Sequence, residues 1–263
     1  MKNVTAENRV LVLIRHLTLP LVLIVAWQLW ASSLPPDSPA PSPMKVSKVL
    51  SELLTTGSLI SATLQSLGRV LLGFAMASVM GITLGLIMGA SPTVRENLDP
   101  IIESFRPIAP MAILPIAILW LGTGTPTALA IVAYASFFPV LINTVHGVSR
   151  VDRKLVLAAR TMGVSRGTIL LKVVLPGALP SILLGTRLAM GVAWTAIIAA
   201  ELAVQAKSGG GGSGGIGQMM FVFYAYNIDL NAIVVCMAVV GLVAMLIDQL
   251  FRVIEKRLLP WRN

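Results

Sequence analysis

Residues 158–176 read "AARTMGVSRGTILLKVVLP". Leu155, Ala158, Ala159 and Met162 recur at helical spacing, and Gly163 stands where the end of a helix favours a residue free to adopt positive φ. Ser165 is placed to cap a second helix that carries Ile169, Val173 and Pro176. The spacing thus predicts a short helix, a glycine turn and another helix, with Arg160, Arg166 and Lys172 exposed. Long apolar runs flank this charged unit on both sides, and that setting decides the fold.

Of the 263 residues, 56% are hydrophobic and 12% charged, and the mean hydropathy is +0.86. Soluble domains carry about 25% charged residues, so the balance indicates a membrane protein. Membrane barrels alternate apolar and polar positions, whereas these runs are continuous, and helices are the remaining way to satisfy backbone groups in lipid. The fold class is therefore all-α and polytopic. Spans are predicted at about 17–33, 68–89, 108–121, 127–147, 179–201 and 231–251. The basic loop 152–176 then lies between the fourth and fifth. The third span holds Pro107, Pro110 and Pro115 within "RPIAPMAILPIAILWLG", so it is expected to be kinked or preceded by a bent interfacial segment. The first has a longer apolar run than a signal peptide and no small-x-small cleavage site in "ASSLPP", which favours a retained signal anchor.

The net charge of +9 is explained by its placement. With the N-terminus inside, Lys2, Arg9 and Arg15, Arg95 and Arg106, the six bases of 150–172, and Arg252, Lys256, Arg257 and Arg262 all fall on the cytoplasmic side. Both termini are expected there, in a bacterial inner membrane, with lipid and not nucleic acid around the chain. Residues 1–60 form an anchor helix followed by a proline-rich outer segment that turns amphipathic near Met44–Leu54, and 61–263 form the core domain. Loops this short leave no room for a soluble catalytic domain. Cys236 lies in an apolar run and is read as a small buried hydrophobe, and His16 and His146 are isolated, so no metal site is assigned.

Ala158, Ala159, Gly163, Val173, Leu175 and Pro176 fall in the register Glu-Ala-Ala, three residues, Gly, nine residues, aliphatic, any residue, Leu-Pro. This resembles the coupling loop of type I ABC importer permeases, with Leu157 where the family has Glu. The stretches "SLGRVLLGFAMASVMGITLGLIMG", "LDPIIESFRPIAPMAILPIAILWLGTG" and "GTRLAMGVAWTAIIAAEL" look like the nitrate/sulfonate/taurine branch of that family, over roughly residues 60–255. The resemblance implies a non-catalytic permease subunit that pairs with a second copy. It implies two cytoplasmic ATPases docked on Leu157, Ala158, Ala159, Arg160, Met162, Gly163, Arg166 and Pro176, and a binding protein outside. ATP and Mg would belong to the ATPases: this chain has no GxxxxGK[ST] loop and is expected to carry no cofactor. Small anions such as nitrate, aliphatic sulfonates or taurine are the implied solutes.

Gly81, Gly85 and Gly89 form overlapping GxxxG patterns suited to close helix packing, within or between subunits. Arg187 is a base inside a span. It either draws an anion toward the path or pairs with Glu201 or with carbonyls freed near the third-span prolines. Trp194 and Thr195 share its span as path-lining candidates. Glu201 could contact the binding protein, act in an outer gate, or end its helix in water. Asp248 and Arg252 form an i, i+4 pair. "KSGGGGSGGIGQ" at 207–218 reads as a flexible outer linker, and its end, "GIGQMM", resembles a re-entrant turn of the family. An ATP-independent secondary transporter or channel is the alternative. It would favour buried acidic relays and repeated halves, and it leaves the 158–176 register unexplained.

Overall fold

The computed structural model describes residues 6–35, 38–208 and 214–259, and among these there is no strand. Helix α1 (Ala6–Ser32) leads to α2 (Pro43–Thr55), α3 (Ser58–Ala90), α4 (Pro92–Phe105), α5 (Pro110–Leu121) and α6 (Thr125–Ser149). Two short helices follow, α7 (Arg153–Thr161) and α8 (Arg166–Ile169). A π-helical turn, Leu170–Val174, joins α8 to α9 (Leu175–Ser208). Then α10 (Ile216–Val222) passes through a second π-helical turn, Phe223–Asn227, to α11 (Leu230–Leu258).

The six apolar segments expected are all helical, but two differ in kind from a simple span. Ser58–Ala90, Thr125–Ser149, Arg166–Val204 and Leu230–Leu258 are each long and apolar enough to cross a membrane. Helices α4 and α5 meet that measure only as a pair, bent by 90°. Pro107 and Pro110 supply no N–H, so the helical ladder cannot run through the elbow between them. The apolar part of α1, Thr18–Ser32, is shorter than a span. Helix α3 starts well before the expected position 68, which places Arg69 inside the helix and not at its edge.

Helices α3, α6 and α9 form the centre of the bundle. Val70, Val132, Ala193, Trp194 and Ile197 bury one another there. The GxxxG stripe serves this packing within the chain. A Cβ added at Gly85 would stand 2.6 Å from Thr144 Cβ, and one at Gly89 would stand 2.5 Å from Val148 Cβ, so α3 and α6 meet nearly backbone to backbone. On the other face of α3, Leu72, Val79 and Met80 remain exposed, as lipid-facing side chains do. Helix α2 opens on a side-chain cap: Ser42 Oγ accepts from the Lys45 amide at 3.3 Å. Its Val46, Val49, Leu50 and Leu53 pack with Leu59, Val235 and buried Cys236, so its apolar face is turned to the bundle. Trp27 Nε1 donates to Pro41 O at 3.0 Å, which ties α1 to the start of α2.

Candidate functional site

The 152–176 unit folds as a capped turn. Asp152 Oδ1 accepts from the Lys154 amide at 2.9 Å to open α7. The Val164 amide donates to Ala159 O at 3.2 Å and the Gly163 amide to Arg160 O at 3.0 Å, with Gly163 at φ +74°. Those two bonds close a helix end through a left-handed residue, which glycine adopts without steric cost. Ser165 Oγ accepts from the Thr168 amide at 3.3 Å and starts α8. Beneath the turn, Ala159, Ile169 and Val174 bury against Val148, Ala178 and Ile182, which fastens it to α6 and α9.

The outer side of the turn is apolar and basic together. Leu157 is 50% and Met162 74% exposed. Ala158, Arg160, Gly163, Arg166 and Pro176 are exposed around them. Ala159 departs from its expected place among the docking residues: its methyl points into the bundle and supports the turn from below. Pro176 follows a π-helical turn in which the Leu175 amide donates to Leu170 O. Since Pro176 has no N–H for the carbonyl one turn back, a widened turn ahead of it matches the lost bond.

At the other end of the bundle lies a buried ion pair. Arg69 Nη1 donates to Glu201 Oε1 at 2.6 Å, with the side chains 7% and 3% exposed. The guanidinium also donates to Gly214 O at 2.6 Å. Ser66 Oγ lies 2.8 and 2.9 Å from the Glu201 oxygens as a donor, and it accepts from the Ile216 amide at 2.9 Å. The Gly217 amide donates to Glu201 Oε2 at 3.0 Å. Glu201 therefore neither ends its helix in water nor pairs with Arg187, two of the roles open to it from sequence. It joins α3, α9 and the start of α10 because Arg69 lies one helix away at the same depth. Within the glycine-rich stretch, residues 209–213 lie outside the described residues. Gly214–Gly217 do not behave as a free linker. A Cβ at Gly215, which has φ +124°, would fall on the Glu201 carboxylate.

Arg187 pairs with α11 instead. It lies 2.7 Å from Asp248 Oδ1 and 3.7 Å from Glu255 Oε2. Asp248 also holds Arg252 at 2.6 Å, so the expected local pair is part of a wider network. Its members are about a third exposed or more, so water screens the charges and Asp248→Asn is expected to leave the melting temperature close to that of the wild type. Thermal unfolding in detergent checks this. A large drop would show that the network is shut off from water.

Trp194 is 2% exposed, fills the centre of the bundle and donates from Nε1 to Val240 O at 3.0 Å, so it lines no path in this chain. Thr195 is exposed, with Oγ1 donating to Val192 O at 2.9 Å. Beside it, a groove of about 380 Å³ runs between the α4–α5 elbow, α6 and α9. Tyr134, Phe138 and Asn143 come from α6, Leu188 and Val192 from α9, and Arg106 and Ile108 from the elbow. The Tyr134 hydroxyl donates to Phe105 O at 2.6 Å, which pins the elbow to α6. None of these groove residues, Arg106 included, was singled out as a path residue from sequence. Only the elbow prolines hinted at a concave site.

A bundle of membrane-length helices with a rigid capped turn at one end and a groove along its flank is the build of a polytopic transport subunit. Residues 81–260 match the family described as binding-protein-dependent transport system inner membrane component, and the chain belongs to that family. It is 35% identical to a putative ABC transporter permease of Methanocaldococcus jannaschii, over all of this chain and 97% of that one. It is 36% identical to the taurine transport system permease TauC of Escherichia coli, over 94% and 88% of the two chains. It is 32% identical to the nitrate import permease NrtB of Synechocystis, over 91% and 86%. In fold it is similar to the MetNI methionine ABC transporter in an inward-facing conformation, with a TM-score of 0.63 at 17% identity over 76% of this chain and 95% of that one. The chain is thus an ABC-type permease and a multi-pass membrane protein.

Proposed function

We propose that this permease forms the translocation path for a small anion such as an aliphatic sulfonate, taurine or nitrate, and that ATP hydrolysis in separate subunits drives it. Two copies pair across the membrane, each receives an ATPase on its 152–176 turn, and a binding protein delivers solute at the opposite end. Both termini and the turn face the cytoplasm, in keeping with the basic residues gathered at that end. The chain itself carries no cofactor, and ATP and Mg act in the partners. The carrying observation is the turn itself: Leu157 and Met162 are exposed beside Arg160 and Arg166, on a helix fastened by buried Ala159, Ile169 and Val174. A protruding apolar and basic surface on a rigid mount suits a soluble acidic-rimmed groove, and a push on it reaches α6 and α9 directly. Small oxyanion-bearing solutes are supported by the relatives, which include transport permeases for taurine, aliphatic sulfonates, nitrate and bicarbonate.

The test is co-purification from membranes. Because both residues project outward, Leu157→Asp with Met162→Asp is expected to leave insertion and melting temperature unchanged while abolishing recovery of the ATPase. Wild-type recovery from the double variant would remove the docking role.

A further inference from the structure

We propose that Arg106 is the anion-recognition residue of the α5–α6–α9 groove, and that the groove takes a small organic oxyanion with an apolar body in preference to an inorganic one. The proposal rests on the importer reading above. Among the described residues, Arg106 is the one charged side chain lining the groove. Arg69 and Arg187, the arginines within α3 and α9, are already engaged: Arg69 holds Glu201 and Arg187 holds Asp248. Arg106 makes no ion pair among the described residues. A guanidinium fork matches two oxygens of a sulfonate or carboxylate at once.

Its backbone is anchored while its side chain is exposed. Arg106 caps α4 at the elbow, and the Tyr134 hydroxyl holds the carbonyl of the preceding residue, Phe105, at 2.6 Å. Arg106 also lines a second, smaller cavity of mixed charge with Arg95, Asp99 and Glu103, so it stands where the apolar groove opens into a polar one. Its walls include apolar Ile108, Phe138, Leu188 and Val192, and the polar groups among them are already engaged: the Asn143 amide donates to Pro139 O at 2.8 Å and the Tyr134 hydroxyl to Phe105 O. A solute with a short hydrocarbon body gains about 25 cal/mol per Å² from such walls, whereas nitrate or bicarbonate has no apolar surface to bury. The volume of about 380 Å³ lies in the range of about 300–1,000 Å³ usual for small-molecule sites.

The experiment measures equilibrium binding of radiolabelled butanesulfonate to the permease–ATPase complex in nanodiscs, without binding protein, so that the groove alone selects. Butyrate, nitrate and butanol are the competitors. Butanesulfonate and butyrate are expected to compete well, and nitrate and butanol poorly. Losing a charge-assisted pair in Arg106→Gln should weaken binding about 10- to 100-fold, with assembly retained. Arg106→Lys should restore part of it, which a merely structural role would not produce. Phe138→Ala should narrow the gap between butanesulfonate and nitrate. Wild-type affinity in Arg106→Gln, or nitrate competing as well as butanesulfonate, overturns the proposal while leaving the importer reading intact. Failure of the wild-type chain to hold an ATPase overturns both.

Discussion

Arg69→Ala or Glu201→Ala is expected to cost about 3–5 kcal/mol of stability, because each leaves the other charge buried with no counter-charge. The loss spreads beyond the pair. Glu201 also receives Ser66 Oγ and the Gly217 amide, and Arg69 also holds Gly214 O, so either truncation frees the start of α10 from α3 and α9. The double change Arg69→Met with Glu201→Met is expected to be milder than either single one. It leaves no lone charge, although the Gly217 amide still loses its acceptor. Melting temperatures of the four proteins in one detergent decide this. Single variants that melt with the wild type would mean that water reaches the pair and that its burial is not what holds the turn.

Gly85→Leu is expected to prevent α3 and α6 from closing. A Cβ there would stand 2.6 Å from Thr144 Cβ and 3.1 Å from Leu141 O, and backbone on a packed helix cannot step aside as a long side chain can. Overpacking usually costs about 1–3 kcal/mol, and a clash that separates two central helices belongs at or above the top of that range. Gly241→Leu is the control, since a Cβ at Gly241 meets nothing within 4 Å. Size-exclusion profiles of the two variants should differ sharply, with Gly85→Leu aggregated and Gly241→Leu monodisperse. Equal behaviour would place the α3–α6 contact elsewhere.

What could be read from sequence was local in the chain. Gly163 and Ser165 announce their turn because each acts within a few residues of itself, whereas the Asp152 cap shows only in the structure. The bent third span was legible from Pro107 and Pro110 for the same reason. The small stripe of Gly81, Gly85 and Gly89 showed that something must approach closely, but only the fold identified it as α6. Long-range pairing left no local trace. Arg69 and Glu201 lie 132 residues apart, and Arg187 and Asp248 lie 61 apart. Each charge therefore looked available for several partners, and Asp248, which holds Arg187, stood out from sequence only as the i, i+4 neighbour of Arg252. The groove was hidden similarly, because three separate elements contribute its lining and no spacing rule connects them. Trp194 is a path candidate from sequence because it shares a span with Arg187, but its register places it on the buried side of that helix.

The run Arg166–Val204 has a mechanical consequence. Its 39 residues, π-helical turn included, form one rod of roughly 55–60 Å, nearly twice the ~30 Å of hydrocarbon it must cross. Its head is seated in the basic turn and its foot ends just past Glu201. On the proposed docking, a load taken at the head passes along one continuous helical backbone to the Arg69–Glu201 clasp some ten helical turns away, and the π-helical turn, Pro176 and Pro180 are the points at which that backbone bends.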